Sequence, residues 1–469
     1  SSSHNSYFHA VSPLKGLYNY KRINIKSKRL TTLKFSSAND DKRAMKIDTD
    51  TYYTQTEHRA NLRSKLCGTV ETDICIIGGG LAGINTLLEL SEKNISAVLL
   101  EENKLGSGAS GRNGGFLSAG YSVPIKRLEQ RFGRKYAQDL YRLSEEGIEI
   151  VRRRCQNSPQ TEIDAEPGIV RMSWGKKENN LNAQIDYMNS IYETKLTYWS
   201  KSKVAERYSS KKYSDAIFNP DAYQLHSLNY IHKCAVDAES LGAKIFEETP
   251  AINIIRRKNS CIVCTNNGHV RANTVVICTS ACQNYVNTKL YNAILPIGTY
   301  VLLTEPLFDR LKEAIRSPYA VSDSRRVENY YRPLRSTQIL WGGGISTRLK
   351  PNNLKQRMLK DLLKVYPQLA GISAQLAWSG TMGYATHSMP QIGKLEDNIW
   401  YLQGFGGHGL NTTAIAGNLI ARAIVDDDDT YELFSPFRLN FVAKPLGLLG
   451  AELIYLSWKT KDLLDEYLG

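Results

Sequence analysis

Asp73-Ile74-Cys75-Ile76-Ile77-Gly78-Gly79-Gly80-Leu81-Ala82-Gly83 runs an apolar strand straight into a glycine turn, and a helical pattern continues to Leu90. The spacing is that of a phosphate-binding turn in a dinucleotide fold. Gly78 permits the tight strand-to-helix turn, Gly80 lets backbone amides approach a pyrophosphate, and Gly83 lets the helix pack closely on the sheet. Leu81 and Ala82 open that helix, whose N-terminus faces the phosphates. A second strand, Ala97 to Leu100, ends in Glu101, roughly 20 residues past the glycines, where an acid accepts hydrogen bonds from a ribose diol. Glu102 follows at the same corner and is grouped with it as cofactor-facing.

The next glycine-rich element separates one dinucleotide from another. Gly106-Ser107-Gly108-Ala109-Ser110-Gly111-Arg112-Asn113-Gly114-Gly115-Phe116 is too rich in glycine for helix or strand and offers amides, hydroxyls and one guanidinium. That suits a loop wrapped along a phosphate chain, with Ser110, Arg112, Asn113, Gly114 and Gly115 as its contacts. Here the chain resembles the D-amino-acid-oxidase-like family of FAD-dependent amine oxidoreductases, in the branch that includes gamma-glutamylputrescine oxidase. Further blocks carry the resemblance in order: Gln224 to Tyr230, Gly298 to Leu307, Asn329 to Pro333 with Leu340 to Gly344, Trp378 to Gly380 with Pro390 to Gly393, and Gly404 to Leu410. It covers most of the chain from about Thr51 onward.

The resemblance implies an α/β fold: a Rossmann-like FAD-binding domain of the glutathione-reductase type, interleaved with a substrate domain built on a mixed or antiparallel sheet. We place the FAD-binding domain at residues 51–120, 226–288 and 378–430, and the substrate domain at 121–225 and 289–377. It further implies noncovalent FAD, with Ala251 meeting the adenine through its main chain and Thr279 near the dinucleotide. Gly407, His408, Gly409 and Leu410 are implied at the flavin ring. The last turn also has a physical role of its own. A helical period from Asn411 to Val425 starts at that turn, and a helix N-terminus aimed at the pyrimidine edge stabilises an anionic reduced flavin. A hairpin is expected where Ile262 to Thr265 and Val270 to Ala272 flank Asn267-Gly268, a pair that favours positive φ.

The rest of the composition narrows the function. No run of 18 apolar residues occurs, and 469 residues suffice for two domains. The eight cysteines read as reduced core thiols, and Cys261 and Cys264 fall on opposite faces of one strand, so no metal is expected. Residues 1–47 hold ten Lys or Arg against two Asp, which supplies +8 of the total +14. Residues 1–50 therefore read as a basic extension, like an organellar targeting region, and a start at Ser1 is what cleavage of an upstream presequence would leave. Mitochondrial localisation is the expectation, with the extension contacting a protein partner or an anionic membrane surface. Residues 431–469 form a C-terminal tail in which Pro445 to Trp458 is a candidate docking helix, too short and charged to span a bilayer. Arg152-Arg153-Arg154 ends an amphipathic helix and no basic-aromatic platform is present, so nucleic acid is not a partner.

The substrate is expected to be a small-molecule amine, oxidised to an imine by hydride transfer to the flavin. His408, Tyr331 and Arg332 are the candidates for orienting it, with Arg325, Arg326 and Arg335 as further options for binding a carboxylate. Oxidase and dehydrogenase both remain open. A different class of reading is a flavin-containing structural subunit or assembly factor of a larger mitochondrial membrane complex.

Overall fold

The computed structural model describes residues 50–59, 61–156, 160–175, 180–281, 286–335, 337–347 and 351–468. The basic extension over residues 1–49 lies outside them. Two sheets organise the described chain. The first starts from Gly68–Ile77, whose last four residues are all buried because both faces of the strand are covered. It pairs in parallel with Ala97–Leu100 on one side and Gly268–Ile277 on the other. Lys244–Phe246 and Ile399–Gln403 extend the parallel set outward. The sheet is thus assembled from segments far apart in sequence.

The second sheet is mixed and mostly antiparallel. Its order places Ala374–Tyr384, Leu295–Thr304, Gln338–Ser346 and Asn329–Leu334 side by side, followed by Ala320–Asp323, Glu166–Trp174 and Tyr213–Gln224. Only the pair Ala320–Asp323 with Glu166–Trp174 is parallel there. The fold is the α/β arrangement expected, a Rossmann-like sheet beside a mixed substrate-side sheet.

Helix packing fixes where the glycine elements sit. Leu81–Glu92, the phosphate helix, packs against Ser227–Ser240 and Gly409–Val425. The last of these also crosses the long helix Arg134–Gln156 so closely that a Cβ on Gly147 would stand 2.2 Å from the Asn411 carbonyl oxygen. Arg154, near the end of that long helix, is buried and not part of a surface basic run. It reaches Glu89 at 2.5 Å and Asn85 at 2.6 Å, both on the phosphate helix.

Two local expectations are corrected. The hairpin Cys261–Cys264 with Gly268–Ile277 forms, but neither Asn267 nor Gly268 has positive φ. Gly268 is needed for proximity: a Cβ there would lie 2.1 Å from the Gly68 carbonyl oxygen of the neighbouring strand. The C-terminal helix is longer than Pro445 to Trp458, running Lys444–Leu468. Polar bonds hold its inner side: Glu452 accepts from the Thr347 amide and hydroxyl, and Asp462 from the Arg326 and Val327 amides. Leu446, Leu449, Leu453, Leu456 and Leu463 face outward, each at least half exposed. No helix among the described residues is long and apolar enough to cross a membrane.

Candidate functional site

The turn after the first strand is shaped by contacts that admit no side chain. Gly78 has φ +110°, and a Cβ on Gly83 would stand 1.9 Å from the Gly78 carbonyl oxygen. A Cβ on Gly80 would stand 2.9 Å from the Ser110 hydroxyl, so this position faces the second glycine element. Thr279 lies at the opposite wall, its amide 3.4 Å from where a Gly78 Cβ would be. Glu101 closes the corner: one carboxylate oxygen accepts the Gly79 amide at 2.6 Å and the other the Asn103 amide at 2.8 Å. Burial, opposed by those two amides, pushes its carboxyl up to about 7. Glu102 is half-buried beside it and its charge adds to that rise. Ala251 is buried in the small core that also contains Ile77 and Leu100.

The second glycine element is braced from several sides. It contains one turn of 3-10 helix, Ala109–Gly111, and a short strand at Phe116–Leu117, so it is not wholly irregular. Ser110 accepts the Leu81 amide at 3.0 Å, which couples the loop to the phosphate helix. Asn113 serves the loop itself, donating to the Ser110 carbonyl at 2.7 Å and accepting the Gly115 amide at 2.8 Å. Arg112 is buried, and its guanidinium reaches the carbonyls of Ser107 and Ser379 at 2.8 and 3.3 Å. It therefore ties the loop to the second sheet. Tyr53, from the short helix Tyr52–Gln55, adds a clasp by donating to the Asn113 carbonyl at 2.7 Å.

The third glycine element meets the same sheet. The Gly406 amide donates to the Gly383 carbonyl at 3.1 Å, and the Gly407 amide to the Ser122 hydroxyl at 3.2 Å. Both Gly406 and Gly407 lie against Tyr384. Ala374–Tyr384 is thus one strand that touches two glycine elements, Arg112 near Gly380 and the Gly404 to Leu410 turn near Tyr384. Gly409 and Leu410 begin the helix, and His408 is its N-cap, with its carbonyl accepting from Thr412. The His408 imidazole keeps some solvent contact, yet the surrounding protein pushes its pKa down to about 4. It is a neutral group at physiological pH at the start of the helix.

The strand Asn329–Leu334 sorts the substrate candidates by face. Tyr330 turns toward the glycine elements: its ring packs on Gly114 and edge-on against Phe116, and its hydroxyl is 3.3 Å from that of Thr299. Tyr331 points the other way, stacked on Trp341 and hydrogen-bonded to the Tyr366 hydroxyl at 2.6 Å. Alternation along a strand allows only one of two neighbours on each face, so Tyr331 is core. Arg332 shares the Tyr330 face but is buried under Gly115, donating to the Leu225 carbonyl at 3.0 Å. Neither is placed to touch a substrate. The other arginines are engaged by acids: Arg325 with Asp323, Arg326 with Asp462 and Asp465, Arg335 with Asp164. Sequence reasoning missed Tyr53, Ser122, Tyr330 and Tyr384, since a tyrosine or serine outside a glycine run carries no spacing signal.

The arrangement fits a flavin dinucleotide. Amides and a carboxylate surround a turn with room only for backbone and ligand, and a helix N-terminus closes the other end. The chain matches the family model described as DAO, FAD dependent oxidoreductase, over residues 73–423. It is 30% identical to gamma-glutamylputrescine oxidoreductase of Escherichia coli (strain K12) over 391 residues, which is 82% of this chain and 91% of the relative. Among solved structures, glycine oxidase from Bacillus cereus aligns with a TM-score of 0.63 at 19% identity, covering 78% of this chain and 98% of that one. L-amino acid deaminase from Proteus myxofaciens aligns with a TM-score of 0.66 at 14% identity, covering 81% and 96%.

Proposed function

This chain belongs to the DAO family of FAD-dependent oxidoreductases, and from that premise we propose that it oxidises an amine to an imine. Bound FAD supplies the hydride acceptor. In the substrate the C–H bond breaks, the nitrogen lone pair forms the C=N bond, and water then hydrolyses the imine to a carbonyl product and ammonia or a smaller amine. The chain's residues bind and orient. The Gly78 to Gly83 turn and Glu101 would hold the pyrophosphate and ribose, the Gly106 to Phe116 loop would cover the phosphate chain, and Gly407 to Leu410 would meet the ring. A neutral His408 there adds no positive charge beside the reacting amine.

One observation carries the reading: the strand Ala374–Tyr384 contacts Arg112 of one glycine element and Gly406 and Gly407 of another, so the two elements meet on one strand. The amine assignment is supported by the likeness to gamma-glutamylputrescine oxidoreductase of Escherichia coli. The test is anaerobic mixing of the FAD-loaded chain with primary amines, following flavin absorbance and trapping the carbonyl product. Bleaching with stoichiometric product is expected; an unbleached flavin across a panel of amines and amino acids would refute the reading.

A further inference from the structure

The C-terminal helix Lys444–Leu468 is held to the body along one side and offers the other to solvent. On the inner side Glu452 accepts from Thr347, Asp462 accepts from the Arg326 and Val327 amides, and Glu466 pairs with Lys212 at 2.5 Å. The outer side follows a strict repeat. From Leu446 the steps alternate between three and four residues, through Leu449, Leu453, Leu456, Thr460 and Leu463 to Tyr467. All of these are exposed, the leucines by half or more. Three heptads of this spacing form a continuous seam, the surface that a second helix packs against.

The flanks of the seam differ from each other. One carries Gly450, Ser457 and Leu464, the other Glu452, Lys459 and Glu466. A Cβ on Gly450 would meet nothing within 4 Å, so a second backbone has room to approach there. Lys459 is exposed and has no ion-pair partner among the described residues. The helix as a whole holds three lysines (Lys444, Lys459, Lys461) against four acids (Glu452, Asp462, Asp465, Glu466), a net charge of −1. A helix that lies in a membrane interface carries a basic polar face, and this one does not.

We propose that two copies of this chain associate through the seam, helix against helix and antiparallel, about a two-fold axis. One register pairs Leu446 with Leu463, Leu449 with Thr460 and Leu453 with Leu456 of the other copy, so every seam position from Leu446 to Leu463 is covered. The same register sets Glu452 opposite Lys459 of the other copy, twice by symmetry, and Gly450 opposite Ser457, a small pair that lets the helices close. A parallel pair would instead set Glu452 against Ser457 and Lys459 against Leu464, with no charge matched. The pattern is thus complementary to itself when reversed, which is what a two-fold interface requires and what favours a second copy over an unrelated helix. Each body lies behind the inner side of its own helix, so the two bodies stand on opposite sides of the joint.

The experiment sediments the FAD-loaded full chain over a range of concentrations as wild type, Lys459→Glu and the double variant Leu453→Glu with Leu456→Glu. All three positions are exposed in the single chain, and flavin content with circular dichroism reports the fold. Wild type should reach the mass of two chains. Lys459→Glu should raise the dimer Kd about tenfold at low salt and less at high salt, because two exposed attractions become repulsions. The double variant should raise it by at least about a hundredfold, as four leucines lose their cover. Direction is read by oxidation. Leu446→Cys mixed with Leu463→Cys should give a covalent dimer, whereas Leu446→Cys alone should give no more than wild type, whose Cys67 is exposed. In the antiparallel register the two 446 positions stand about 25 Å apart, beyond the reach of a disulfide. A chain that stays single at every concentration, a double variant that dimerises like wild type, or a covalent dimer from Leu446→Cys alone overturns the proposal. A single chain that floats with vesicles of anionic phospholipid overturns it in favour of a membrane surface.

Discussion

The Glu101 carboxylate accepts the Gly79 amide at 2.6 Å, so the end of the second strand is bonded directly to the phosphate turn. A ribose diol at this corner would meet an acid whose position is fixed by backbone.

The burial of this corner predicts a pH dependence. Burial lifts the Glu101 carboxyl from its ordinary 4.5 to about 7, so between those values the folded chain holds a proton that the unfolded chain has released. The stabilising contribution is complete below pH 4.5 and is lost as pH rises through about 7. Apoprotein should therefore show a lower thermal midpoint at pH 8 than at pH 5, with a shallower difference in Glu101→Gln. In the same series Glu101→Ala should weaken FAD binding by roughly 1.5 to 3 kcal/mol without unfolding the chain. Unchanged FAD titrations would argue against the ribose role.

Two glycines of one turn should respond differently to the same substitution. Gly83→Ala puts a methyl 1.9 Å from a backbone oxygen and should abolish flavin retention. Gly80→Ala puts a methyl 2.9 Å from the Ser110 hydroxyl, a side chain that can shift at the expense of its bond to the Leu81 amide. Flavin content after gel filtration should be near zero for the first and reduced for the second; equal losses would mean that the Gly83 contact is not limiting.

The buried pair Arg154 and Glu89 joins the long helix to the phosphate helix. Arg154→Met alone strands a carboxylate and should cost about 3 to 5 kcal/mol, whereas adding Glu89→Leu should recover much of it. Urea denaturation of both variants measures this. A double variant no more stable than the single one would show that Asn85 and Tyr230, which share the network, dominate it.

Adjacent tyrosines give opposite phenotypes. Tyr331→Phe leaves the buried Tyr366 hydroxyl without its partner and should destabilise by about 1 to 3 kcal/mol with the flavin spectrum intact. Tyr330→Phe should leave stability nearly unchanged and alter KM for the amine. Reversed effects would mean that the faces of the strand are assigned wrongly.

The glycine elements were legible because their chemistry is local: a turn that admits no Cβ, followed by a helix start, writes itself into consecutive residues. The same locality explains what was not. Tyr330 and Tyr331 are both aromatic and adjacent, so alternation says that they diverge but not which one meets the glycine elements. Arg112 and Arg332 resemble anion ligands in sequence, yet their bonds go to carbonyls of Ser379 and Leu225, set by packing between segments distant in the chain. Arg154 reads as the end of a surface helix until Glu89, 65 residues earlier, is brought beside it. The C-terminal helix inverts the usual pattern, because acids at Glu452 and Asp462 anchor it and its leucines face out.

The parallel sheet also orders events in time. Ile74 to Ile77 leave the ribosome early with the phosphate turn behind them, but one neighbour of that strand, Gly268–Ile277, follows only after much of the substrate-side sheet, and the helix ending at Val425 later still. Until then the strand has an unpaired apolar edge, a hazard for a nascent chain. Cofactor capture is accordingly a late step of maturation, and a fragment that stops short of that helix would carry the fingerprint and hold no flavin.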